Sequence, residues 1–278
     1  MGSSGSGSSQ CHEVVLSAPR SYLQKYWPVD HLDSEDQFIL NFLHEVYSDP
    51  DNESTLRGRV LVEVGGGPVV DKLLSASKLV DGIYHLDAST RALAEVEKVR
   101  DSAPDAYNWS ARYDYVATLE GLQGEQRGET IRRRVFDGTP LALARVDLLR
   151  DELPEAQMHA QGIAIKGRVG VISSHSVAEC VTETEADFDR VLEQITSLGP
   201  EVGTMLVMTV NTDTDKWSGG EEVGELPAFR ISKGQLIMKL TSLGFSEFRV
   251  RWHGSEDATC MPSTTALCAR RVMGSRVR

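Results

Sequence analysis

Three carboxylates and one imidazole end apolar runs in this chain: Glu63 in RVLVEVGGGPVV, Asp87 in IYHLD, Asp147 in ARVDLL and His175 in VISSHSVAEC. In an open α/β sheet such strand ends are where ligands collect. Glu63 is followed by Gly65, Gly66, Gly67 and Pro68, a turn whose backbone N–H groups can approach a ligand with no Cβ in the way. Asp87 comes about 20 residues later, the spacing at which an acid holds a ribose hydroxyl pair. Asp147 fits an adenine amino group, although a strand-terminal Asp in a turn has the same appearance. Of the acceptors an imidazole at His175 could serve, it best suits one that sheds a proton: an amine, a phenol, or an indole attacking through carbon.

Two cofactor classes share this layout. A dinucleotide site wants G-x-G-x-x-G, with its third glycine inside the helix. Here that position is Val70, and Pro68 occupies the turn. E-x-G-x-G-P is instead the pattern of S-adenosylmethionine binding, which needs no pyrophosphate cradle.

The elements that must position these residues alternate from residue 59 onward. Strands are predicted at Arg59–Val64, Ile83–Leu86, Ala142–Asp147, Val169–Ser174, Met205–Val210, Glu247–His253 and Thr265–Arg271. Helices are predicted at Val69–Leu79, Thr90–Arg100, Glu185–Leu198 and Ser232–Leu243, the last ending at a Gly244 C-cap. The final two strands are joined without a helix, which implies an antiparallel pair. The expected fold is therefore α/β: a Rossmann-like, seven-stranded mixed sheet of five parallel strands plus an antiparallel C-terminal hairpin, with helices on both faces. That order favours a methyltransferase over a dehydrogenase. SEDQFILNFLHEVY has Ser34 and Gln37 at capping-box spacing and an apolar helical face. Residues 104–141 are too long for a simple connection and are read as a partly helical insertion. The expected layout is a tag or disordered tail over 1–16 and one domain over 17–278, with a helical lid at 17–50.

Composition narrows the partners. The 278 residues carry a net charge of −12, which argues against a nucleic-acid backbone; Arg132, Arg133 and Arg134 read as a solvated helix face. No apolar run reaches the ~20 residues of a membrane span, and MGSSGSGSS is not a secretory signal. Cys11, Cys180, Cys260 and Cys268 are scattered without CxxC pairing, and neither they nor the histidines make a metal-ligand pattern. A cytoplasmic protein with no metal, no nucleic acid and no membrane partner is expected. Monomer and homodimer stay open.

With SAPRSYLQKYWPVD, VEVGGGP, HLDAS and AYNWSARYDYVATLEG, the chain resembles a class I S-adenosylmethionine-dependent methyltransferase, and more narrowly the nicotinamide/phenylethanolamine/thioether N-methyltransferase family. The resemblance spreads over most of residues 17–271. It implies that Tyr22, Tyr26 and Trp27 close over cofactor and substrate. It also implies that Gly65 and Gly67 form the turn beneath the methionine moiety, and that Asp87, Ala88 and Ser89 meet the ribose; Glu63 and Gly66 are expected to bind the cofactor with them. Asp147 and Leu148 would flank the adenine, and Ser174 would supply a hydroxyl. Two departures stand out. A tyrosine common in the family after the glycine turn is Asp71 here, and the acid after the fifth strand is replaced by Thr209 or Asn211 in VMTVNTDTDKW.

The acceptor pocket expected from these residues is made by Tyr22, His175, Thr209, Asn211 and Trp217, with Tyr22 and His175 closest to the chemistry. DKWSGGEEVGELP reads as a mobile loop carrying Trp217 as a stacking surface for a flat substrate. The expected activity is methyl transfer (EC 2.1.1) to a small amine or nitrogen heterocycle of secondary metabolism, including N- or C-methylation of an indole. A protein-substrate methyltransferase and a nicotinamide-dependent oxidoreductase are the alternatives.

Overall fold

The computed structural model of the chain describes residues 18–218, 225–254 and 263–273. Residues 1–16, with Cys11, and also Cys260 lie outside them. Largely apolar runs, β-branched in β1, β4 and β5, form five parallel strands: β1 (Val60–Val64), β2 (Gly82–Asp87), β3 (Leu141–Arg145), β4 (Val169–His175) and β5 (Met205–Thr212). A short pair, β6 (Lys216–Ser218) and β7 (Glu225–Pro227), precedes β8 (Phe245–His253) and β9 (Ser263–Arg271). The main sheet has the order β3-β2-β1-β4-β5-β9-β8, and β9 runs antiparallel to both its neighbours. This is the Rossmann-like mixed sheet expected from the sequence.

β1 is buried along its whole length, as a central parallel strand covered on both faces must be. Its alternation divides two cores. Leu61 faces one with Val171 and Val207, beneath α2 (Ser34–Tyr47). Val60, Val62 and Val64 face the other with Ile172, Leu206 and Met208. This second face is covered by α8 (Glu185–Ser197) and α9 (Lys233–Ser242). The remaining helices are α1 (Pro19–Tyr26), α3 (Pro50–Leu56), α4 (Thr90–Arg100), α5 (Ser110–Leu119), α6 (Arg127–Arg133) and α7 (Pro154–His159). Among the described residues no helix is long and apolar enough to cross a membrane.

Several local expectations are corrected. No regular helix spans Val69–Leu79; two single 3-10 turns, Asp71–Leu73 and Ala76–Lys78, take its place. The Leu74 carbonyl that would accept the next helical N–H is held instead by Ser77 Oγ (2.7 Å) and Arg134 Nη2 (2.8 Å). The cap of α2 is Asp33, whose side chain accepts from the Asp36 N–H, while the Gln37 amide donates to the Leu32 carbonyl. A complete capping box forms at Ser232 and Gln235, ahead of α9. β3 stops at Arg145, so Asp147 lies in the turn beyond it. Within DKWSGGEEVGELP, Lys216–Ser218 pairs antiparallel with Glu225–Pro227 as β6 and β7; 219–224, the middle of the expected loop, lie outside the described residues.

Residues 104–141 carry α5 and α6 and grip the N-terminal segment. The Tyr107 hydroxyl donates to the carbonyls of Leu23 (3.1 Å) and Trp27. Arg112 is buried, donates to the carbonyls of Pro28 and His31, and pairs with Asp36 on α2. Removing one partner of such a buried pair is expensive because the other charge stays behind. Arg112→Met is therefore expected to lower unfolding free energy by ~3 kcal/mol in urea titrations. Adding Asp36→Asn should recover part of that loss; a single-mutant cost below ~1 kcal/mol would contradict the anchoring role.

The turn after β1 is built on close approach. Gly65 and Gly67 have φ of 68° and 58°, left-handed values that favour glycine. A Cβ on Gly66 would stand 2.2 Å from His85 Cε1, and one on Gly65 2.6 Å from Val177 Cγ2. Gly66→Ala is expected to displace the turn and lower the thermal midpoint of unfolding, and adding His85→Ala should restore part of it; an unchanged midpoint for Gly66→Ala alone would refute the contact.

Candidate active site

The carboxyl ends of β1, β2, β4 and β5 open into one cavity of about 390 Å³. Its floor is the glycine turn. The N–H groups of Gly65 and Gly66 donate to the Leu86 carbonyl at 2.8 and 3.1 Å, which ties the turn to β2. His85 supports it from below through Nε2, which donates to the Gly67 carbonyl at 2.9 Å. Burial pushes the His85 imidazole down to about 4, so it stays neutral.

Asp87 stands beside the turn. One carboxylate oxygen accepts from the Gly67 N–H and the other from the Ser89 N–H, both at 2.8 Å. Burial raises its carboxyl to about 6 against the pull of those two donors, and the Asp147 charge adds to the rise. Asp87 therefore keeps its charge at pH 7 and presents remaining lone pairs to the cavity it lines.

One wall is aromatic. Tyr22 lies 5.1 Å from Tyr26 and 5.3 Å from Trp27 between ring centroids. Trp27 Nε1 donates to Asp71 Oδ2 at 3.2 Å, so the residue standing where the family has a tyrosine holds the wall rather than a ligand. Burial pushes the Tyr22 phenol up, so it is a neutral hydrogen-bonding group. Trp217 on β6 lines the far side, its indole N–H buried and without a hydrogen-bond partner among the described residues.

His175 lines the cavity with both ring nitrogens engaged: Nε2 lies 2.9 Å from Ser173 Oγ and Nδ1 3.2 Å from Thr209 Oγ1. Burial, with the nearby Lys72 ammonium, pushes it down to about 3. A neutral imidazole between two hydroxyls is a weak base and a good positioning group. Thr209 and Asn211 also line the cavity, so the two candidates for the missing acid both face it. The Asn211 N–H donates to Glu179 Oε1 at 2.8 Å.

The cavity does not collect every expected residue. Ala88 and Ser89 flank Asp87 but do not line the cavity; Ser89 caps α4 by accepting from the Ala92 N–H. Asp147 accepts from the Leu149 N–H at 2.9 Å in its turn, and Leu148 packs into the second core. Ser174 is buried away from the cavity with an unpartnered hydroxyl, while its neighbour Ser173 meets His175. Conversely, Lys72, Asp33, Glu35 and Asp36 line the cavity and were not anticipated. The sequence signal for Lys72 was a charge pair inside the apolar run VVDKLL; for Asp33 and Asp36 it was their cap spacing. Five carboxylates and two ammonium groups line the space, an excess that suits a cationic ligand. Among the described residues no cluster of His, Cys, Asp and Glu is arranged to hold a metal ion.

The glycine cradle, the unpaired buried atoms at its edge and the backbone-pinned Asp87 fit a ribose-containing ligand, and known proteins agree at the level of fold and family. The structure of magnesium protoporphyrin IX methyltransferase from Synechocystis superposes with a TM-score of 0.57 at 11% identity, over 98% of this chain and 100% of that one. Human nicotinamide N-methyltransferase is 33% identical over 119 residues, and rabbit indolethylamine N-methyltransferase 28% over 119. Each of these matches takes in 42% of this chain and spans less than half of the relative, 45%. The model of the NNMT/PNMT/TEMT family, by contrast, matches residues 13–268, from before α1 into β9, and the chain belongs to that family.

Proposed function

We propose that the protein transfers a methyl group from S-adenosylmethionine to the nitrogen of a small, flat amine. The observation that carries this reading is Asp87, fixed by the Gly67 and Ser89 N–H groups at the mouth of the glycine turn, within one cavity that also holds an aromatic wall and His175. The relatives named for nicotinamide and indolethylamine methylation support the acceptor class. The donor supplies an electrophilic methyl on sulfonium sulfur. Asp87 holds the ribose hydroxyls, the glycine turn leaves room for the chain beyond, and Tyr22, Tyr26 and Trp27 form a lid that keeps water out. Alignment of such a pair is worth ~7–11 kcal/mol of barrier.

His175 orients the acceptor together with Thr209 and Asn211, and Trp217 stacks on its ring. A primary amine, as its free base, attacks the methyl carbon through its lone pair as the sulfonium S–CH3 bond breaks; S-adenosylhomocysteine is the leaving group, and the secondary ammonium formed loses its proton to water. This step needs no strong base, which agrees with an imidazole held near 3. Carbon methylation of an indole needs a base to restore the ring, and His175 is poorly suited to be that base. We place the protein in the cytosol, since the described thiols, Cys180 and Cys268, are both unpaired.

Calorimetry with S-adenosylmethionine, S-adenosylhomocysteine and NAD tests the donor; binding of NAD alone would overturn the reading. Labelled methyl transfer to arylalkylamines and indoles tests the acceptor, with N-methyl products expected and ring-carbon products contradicting it. His175→Ala is expected to raise acceptor KM about 10-fold while leaving the shape of the pH profile unchanged; a lost acidic limb would restore the base role.

Asp87 sets a pH dependence whose sign follows from its raised pKa. The carboxyl is ionised at pH 7 and neutral below about 6. Affinity for S-adenosylhomocysteine should therefore fall as pH drops through about 6. Asp87→Asn should bind about 10- to 100-fold more weakly at pH 7.5 and lose that dependence.

A further inference from the structure

Lys72 is a buried cation in the cavity wall that the reading above leaves without a task. The residue is 7% exposed, yet it lines the same cavity as Glu63 and the glycine turn. An ammonium has three donors. Among the described residues its one hydrogen bond is a long contact of 3.4 Å to Asp71 Oδ2, an oxygen that already accepts from Trp27. Asp36, the other acid nearby, is paired with Arg112. A buried ammonium so poorly satisfied costs stability unless something else completes its shell.

Glu63 is the complementary case. It is 2% exposed, and its Oε2 has no partner. Burial pushes the carboxyl up to about 7, with the Ser173 hydroxyl and the Lys72 ammonium pulling it back. The two side chains feel each other's charge, but no ion pair joins them. A cation and a carboxyl group held apart on one cavity wall frame a ligand that carries an ammonium and a carboxylate on one carbon. The free α-amino-acid group of the methyl donor is such a zwitterion. Its place follows from the turn: the ribose acid is bound at Gly67, and Glu63 lies at the other end of the turn, before Gly65.

We propose that Lys72, on the same cavity wall as Glu63, binds the α-carboxylate of the donor's methionine end. This rests on the methyl-donor reading above. Asp71 cannot take this part, since its carboxylate is committed to the Trp27 indole N–H.

The test compares two ligands on the full chain by calorimetry. S-Adenosylhomocysteine carries the amino-acid group; 5′-methylthioadenosine shares the nucleoside and thioether and lacks it. Lys72→Met is expected to weaken the first about 10- to 100-fold and the second less than about 2-fold. Lys72→Arg should recover most of the loss. Lys72→Gln provides a second, polar variant should the methionine variant melt early. Equal losses for both ligands would overturn the assignment, as would unchanged affinities with a raised acceptor KM, which would place an acceptor carboxylate there. Failure of the parent protein to bind S-adenosylhomocysteine at all would overturn the donor reading and the assignment with it.

Discussion

A peptide turn stripped of Cβ atoms rests on a neutral imidazole, and the site is organised around that contact. His85 fills the space a side chain on Gly66 would need and holds the Gly67 carbonyl. Gly67 in turn directs its N–H at Asp87. One strand, β2, thus supplies both the support under the turn and the carboxylate beside it. His85 and Asp87 are two residues apart and point to the same face of the sheet. Burial disfavours the cation and pushes the imidazole down to about 4, so a neutral ring supports the turn.

The same face carries the rest of the chemistry. Glu63 on β1 pairs in register with His85 and with Ser173 on β4, and His175 pairs with Thr209 on β5. Each of these lies on the side of the sheet that packs beneath α2, where the N-terminal segment and the turns after β1 bring Tyr22, Trp27, Asp36 and Lys72 over them. Parallel registry across four strands therefore converts positions far apart in sequence into one polar row beneath an aromatic and charged cover. Ser174, one residue on from Ser173, falls on the opposite face for the same reason, a period of two.

What was legible in the sequence follows from this geometry. Strands were readable because β-branched runs end at glycine or acid, and helices such as α4 and α8 because one face is apolar. The stretch after Pro68 was not, since it is buried on all sides and its backbone partners come from side chains such as Arg134 in a distant segment. Asp87 and the glycines were legible from spacing alone. Lys72 was not, because a charge in an apolar run reads as an interruption until the cavity beside it is seen. His175 was legible as a residue at the end of a strand, but its surroundings were not, since the hydroxyls that engage both its nitrogens come from Ser173 and Thr209.

The cover over the site is held from the side rather than from beneath. Tyr107 and Arg112 belong to the segment between β2 and β3, and they bind carbonyls in the stretch joining α1 to α2. The Leu23 carbonyl already accepts from the Trp27 N–H, whereas those of Trp27, Pro28 and His31 lie past the end of α1, where helical partners run out. The aromatic wall then packs against Trp109 of the same segment, 6.5 Å from Trp27 between centroids. Opening the cover would break the carbonyl contacts and this stacking together, with the Asp36–Arg112 pair exposed in the same movement. The long connection between α4 and β3 is thus part of the closure of the site, and the order of Tyr22, Tyr26 and Trp27 depends on it as much as on their own helix.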